Sequence, residues 1–203
     1  MFNPKVRNIL EQNLNWFIIA ALFFCIGTIT AVLFVGNEQL FVGDLTESQY
    51  KALQDMAEIV FGGSPLQGIM FLLVNNLLAS LMVMLLGVIM GIPTLLGLFS
   101  NGALLGSVAA SLANEGVPVF SFMLLGVVPH GIFELPAFFI SAAFGLKVGF
   151  HLIFPLPGKK RGESLVTIWR EYWSVFPLIL KLLVLAAIIE VLVTPLLLQQ
   201  ILE

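Results

Sequence analysis

The sequence predicts an all-α polytopic membrane protein, and three observations carry that expectation. Of its 203 residues, 59% are hydrophobic and only 10% charged, with a mean hydropathy of +1.04. Soluble domains carry roughly 45–50% apolar and about 25% charged residues, so one core of this size cannot hide the excess. Several apolar stretches reach the roughly 20 residues needed to cross a bilayer. They are continuous and do not alternate with period two, which excludes a transmembrane barrel.

The first span is expected at about Trp16–Val35, after a polar stretch carrying Lys5 and Arg7. Trp16 stands where an interfacial aromatic belongs. No small-x-small cleavage site follows, so this run reads as a retained helix. It contains Cys25, the single cysteine, which has no partner for an intramolecular disulfide. Gly36–Gln67 is an acidic segment, with Glu38, Asp44, Glu47, Asp55 and Glu58 against one base, Lys51. Within it, Thr46–Phe61 has the apolar period of a short amphipathic helix, stopped by Gly62-Gly63-Ser64-Pro65.

The second span is expected at about Gly68–Met90, closed by a Gly91-Ile92-Pro93 break, and the third at about Thr94–Leu112. After the turn at Asn114–Pro118, the apolar run Val119–Phe150 is too long for one simple span and is interrupted at Pro129-His130-Gly131. It reads as a broken element: a short helix or re-entrant arm, Val119–Val128, followed by a long helix from Gly131. A basic loop, Pro155–Ser174, precedes a fifth span at about Phe176–Leu198. Val166, Trp169, Arg170 and Trp173 in that loop share a helical face suited to lying on the inner leaflet.

Bases set the orientation. Lys5, Arg7, Lys147, Lys159, Lys160, Arg161 and Arg170 collect at two segments that five spans bring to one side. The positive-inside rule makes that side cytoplasmic. The expectation is a single transmembrane domain in the inner or plasma membrane, N-terminus inside, with an extracytoplasmic segment 36–67 and a cytoplasmic loop 155–174.

Polar residues inside the spans are the candidate site. His130 and Glu134 are four apart, which places them on one helical face. Asn75, Asn76 and Asn101, in the second and third spans, are their natural partners, since an amide both donates and accepts. Gly87 with Gly91, and Gly102 with Gly106, form small-x-x-x-small pairs that let helices approach closely. The His130–Glu134 pair resembles half a metal site, but a catalytic zinc needs three protein ligands. The other histidine, His151, lies roughly 25 Å further along a helix. The sequence therefore predicts no metal and no cofactor. Glu190, in the fifth span, forms a possible second intramembrane site facing another span or subunit, with Thr194 four residues on as a local hydrogen-bond donor. A phosphate-binding loop, a nucleophile motif and a basic nucleic-acid patch are all absent from the sequence.

Phe71-Leu72-Leu73-Val74-Asn75-Asn76, Gly91-Ile92-Pro93, Asn101-Gly102 with Gly106, and above all Pro129-His130-Gly131-Ile132-Phe133-Glu134-Leu135-Pro136-Ala137 resemble the stage II sporulation protein M family. The similarity covers most of the chain. It implies a helical membrane protein; the family's namesake is a membrane component of a complex with a peptidoglycan hydrolase, active in septal thinning and engulfment. The resulting expectation is a non-enzymatic scaffold or regulator whose partners are lipid, other membrane proteins and further copies of itself, with no nucleic acid. The alternative is a small oligomeric transporter or channel that uses the His130/Glu134 centre.

Overall fold

The computed structural model describes residues 3–34, 51 and 55–202. Its helices are α1 (Pro4–Gln12), α2 (Leu14–Phe34), α3 (Pro65–Leu85), α4 (Ile92–Asn114), α5 (Val119–Phe122), α6 (Val128–Ile153), α7 (Arg161–Leu192) and α8 (Thr194–Leu202). Five elements are long and apolar enough to cross a membrane: Leu14–Phe34, Pro65–Val88, Ile92–Asn114, Val119–Ile153 and Arg161–Gln199. The chain is thus an all-α, multi-pass membrane protein. Of the expected amphipathic helix Thr46–Phe61, residues 55–61 are helical, and Thr46, Tyr50 and Leu53 lie outside the described residues.

Local chemistry sets the helix ends. Ser64 and Gln67 form a reciprocal capping box at the start of α3, with Pro65 in its first turn. At the far end, Met90 and Gly91 adopt φ of 50° and 73°, a left-handed reversal that returns the chain into α4 with Pro93 in its first turn.

Close approach of small residues assembles the bundle. A Cβ on Gly27 would lie 2.1 Å from the Phe99 carbonyl oxygen, and one on Gly102 would lie 2.0 Å from that of Phe24. The backbones of α2 and α4 therefore touch, as small residues permit in lipid. Gly87 and Gly91 meet Gly145 and Gly149 of α6 in the same way. Thr94 Oγ1 fastens this junction by donating to the Val83 carbonyl at 2.7 Å.

The interruption of the fourth span is a π turn, Met123–Val127, directly before α6. Pro129 has no N–H and its ring crowds the carbonyl of Leu125, so the regular α pattern fails just upstream. The result is a bent but continuous element through Ile153. Pro136 lies inside α6 and is accommodated there.

Two expectations need correcting. The segment 155–174 is not a loop, because α7 begins at Arg161 and runs unbroken to Leu192. Ser164, Ile168, Tyr172, Val175, Ile179 and Leu183 form one buried stripe at helical spacing across the expected boundary, and this stripe keeps the helix whole. At 1.5 Å per residue its 32 residues span about 48 Å, well beyond the roughly 30 Å hydrocarbon layer. Trp169 accordingly packs against the buried core, while Val166 and Trp173 stay exposed. Secondly, Lys147 is not a free interfacial base. It is buried and pairs with Glu171 at 2.5 Å, joining α6 to α7. The polar N-terminus, left unassigned from sequence, forms α1, capped by Asn3 and seated on α7 through Ile9.

Candidate functional site

All five spanning elements contribute to one cavity of about 460 Å³, the first of them through Phe24. Asn75 and Asn76 reach it from α3, Asn101 from α4, His130 and Glu134 from α6, and Glu190 from α7. All six polar residues singled out from sequence therefore line one space, and Glu190 is not a separate second site.

Glu190 is the residue whose role the sequence reading missed. A ligand atom from each of His130, Glu134 and Glu190 lies within 4.8 Å of the others. The premise that a third ligand is lacking no longer holds. The signal was present in sequence: Glu134 and Glu190 are the two carboxylates inside the expected spans, and each needs polar company in lipid.

Backbone breaks place these groups. The π turn and Pro129 aim the first turn of α6, which carries His130, and π turns recur at functional sites. Val193 interrupts the last span, and Pro195 in the first turn of α8 has no N–H to extend α7. Thr194, at this break, does not serve Glu190 as expected. Its hydroxyl donates to the Ile189 carbonyl at 3.3 Å and lies 3.5 Å from His130 Nδ1. With the Thr194 proton on the Ile189 carbonyl, an Nδ1–H tautomer of His130 would complete this contact. That tautomer leaves Nε2 of His130 with a free lone pair.

The amides are partly engaged with one another and with backbone. Asn75 Nδ2 donates to Asn76 Oδ1 at 3.2 Å, and Asn101 Nδ2 donates to the Gly97 carbonyl at 2.8 Å. The ion pairs among the described residues are Arg7–Glu11 and Lys147–Glu171, and neither involves Glu134 or Glu190. Among the described residues, the cavity lining contains no lysine or arginine. Two half-buried carboxyl groups thus share an apolar-walled space with a histidine and amides, and with no fixed cation.

Fold and cavity together define a multi-pass helical membrane protein with a convergent polar centre inside the bundle. The chain belongs to the stage II sporulation protein M family, whose model matches residues 20–195. It is also similar to an uncharacterised protein of Methanocaldococcus jannaschii, with 32% identity over 128 residues, covering 61% of this chain and 69% of that protein. No solved structure matches the chain.

Proposed function

We propose that this chain is a non-enzymatic membrane protein whose cavity admits a proton or a small cationic solute, as the binding centre of an oligomeric transporter or channel. One observation carries the reading: Glu134 and Glu190 face the same roughly 460 Å³ cavity, whose described lining holds no lysine or arginine. A purely packing cluster should be dry, with each polar group bonded to protein, because unsatisfied groups in hydrocarbon are costly. Two carboxyl groups opening on shared space suit a site that takes up positive charge. Broken helices at the binding centre are a recurring device of transporters, and breaks flank this one at Met123–Val127 and Val193. Five spans leave little room for a private pore, so the working form would be a homo-oligomer with the base-rich ends of the helices in the cytoplasm.

Reconstitution in liposomes with an entrapped pH-sensitive dye tests this. Proton or cation flux should be present in the native protein. It should be lost in Glu134→Gln and Glu190→Gln while the oligomer survives. Flux of native size in both variants would overturn the reading.

Scaffolding or regulation of a membrane complex is the second reading. Membership of a family described by a sporulation stage favours it. A single transmembrane unit could then act by docking other membrane proteins, and Glu134→Gln would leave that association unchanged.

A further inference from the structure

The cavity's charge calls for a cation, and its donor atoms indicate which kind. The geometry points to a divalent first-row transition-metal site, with His130 Nε2 and one oxygen each from Glu134 and Glu190 as ligands. The inference rests on reading the cavity as a binding site, and it names the class of cation.

Four observations support it. First, a ring nitrogen of His130 and one oxygen each of Glu134 and Glu190 lie within 4.8 Å of one another. Metal bonds of about 2.0–2.2 Å place donors roughly 3–4 Å apart, so closing the set takes a shift on the order of 1 Å by flexible glutamate side chains. Second, the ligands come from two helices, α6 and α7, each bent or broken beside the site. Residues 64 apart in sequence, His130 and Thr194, meet there. Third, Nδ1 of His130 faces the Thr194 hydroxyl at 3.5 Å, a contact that would favour Nε2 as the nitrogen left for a metal. Fourth, no lysine or arginine of the described lining stands beside the two carboxyl groups as a fixed counter-charge.

Donor chemistry narrows the choice. Imidazole with carboxylates suits zinc, manganese, iron or cobalt, whereas magnesium and calcium favour oxygen-only shells. Three protein ligands leave an open coordination position, which would face the cavity and its asparagine amides. A fixed metal would also tie α6 to α7 at the level of their breaks. A transported one would need that link to open.

The test uses the full chain in nanodiscs, tag removed, stripped by dialysis against a chelator and titrated with Co²⁺ while the visible absorption of bound cobalt is followed. Zn²⁺ and a large excess of Mg²⁺ then serve as competitors. The expected result is about one Co²⁺ per chain, displaced by Zn²⁺ and not by Mg²⁺. His130→Ala, Glu134→Gln and Glu190→Gln should each weaken binding at least about 100-fold, since losing an outer-shell partner alone costs about 10–100-fold. Thr194→Val, which keeps shape, should weaken it by about 10–100-fold. His151→Ala, outside the cavity, should bind as the native chain does. If a ligand variant aggregates, the Thr194→Val result decides. No cobalt binding, binding indifferent to Thr194→Val, or binding lost in His151→Ala would overturn the site. Metal binding without flux in vesicles would uphold the site and refute transport; proton flux without metal binding would do the reverse.

Discussion

Replacing Lys147 by methionine probes an interior ion pair that ties α6 to α7. The side chains of Lys147 and Glu171 are only 10% and 23% exposed, and their charged atoms are 2.5 Å apart. Removing one member of a buried pair strands the other and costs about 3–5 kcal/mol. Lys147→Met leaves Glu171 with some access to water, so its cost should fall toward about 2–3 kcal/mol. Glu171→Gln strands the more deeply buried ammonium and should cost about 3–5 kcal/mol. The double variant strands nothing and should lie within about 1 kcal/mol of the native chain, because a buried pair is often no better than a well-packed neutral replacement. The cycle therefore predicts a coupling of at least about 4 kcal/mol. It can be measured by reversible unfolding in mixed micelles, followed by the fluorescence of Trp169 and Trp173 near the pair. Additivity of the two single changes within about 0.5 kcal/mol would refute the argument that Lys147 is a structural residue.

Other outcomes follow from the same contacts. In a Cys25→Ala background, an impermeant thiol reagent applied outside should label a cysteine at Glu47 and spare one at Lys160; the reverse pattern would overturn the proposed orientation. Gly102→Leu should abolish a monodisperse peak in size-exclusion chromatography, because its Cβ would stand 2.0 Å from the Phe24 oxygen. Gly162→Ala, with nothing within 4 Å of its Cβ, should raise stability by about 0.5–1 kcal/mol in the same unfolding assay. Glu190→Gln keeps size and hydrogen bonding, so native oligomer size with altered cation binding is expected; native assembly with unchanged cation binding would mean that Glu190 serves packing alone.

The spans were legible because hydrocarbon imposes a length and composition that sequence records directly. The Gly91–Pro93 break and the fourth span's interruption were legible for a different reason: proline and glycine state their backbone demands locally. The start of α7 was misread because charge was taken as the mark of a loop. Arg161, Glu163 and Arg170 are charged, yet Ser164, Ile168 and Tyr172 of the same stretch point into the bundle and are fully buried. A helix that outlasts the membrane carries charge on one face and a core on the other, and only the periodicity separates it from a loop. Lys147 was misread for a related reason, because the positive-inside tally treats every base near a boundary as solvated, while its partner, Glu171, lies 24 residues away on the next helix.

Glu190 shows where the limit for the site lies. Local rules place a carboxylate within a span but do not say which neighbour it meets, since that depends on how helices distant in sequence rotate against each other. A conditional argument was nevertheless available. An interior carboxyl group in lipid needs polar company, and Glu134 with His130 offered it. The same reasoning that joined Asn75, Asn76 and Asn101 to His130 extends to Glu190 without further assumption. Adding it changes the chemistry of the centre: two ligands become three, and the cavity acquires a second carboxyl group that no lysine or arginine of its lining offsets. The discriminating property of this site is therefore its pair of carboxyl groups without a lysine or arginine beside them, which makes occupancy by a proton or a metal the central experimental question.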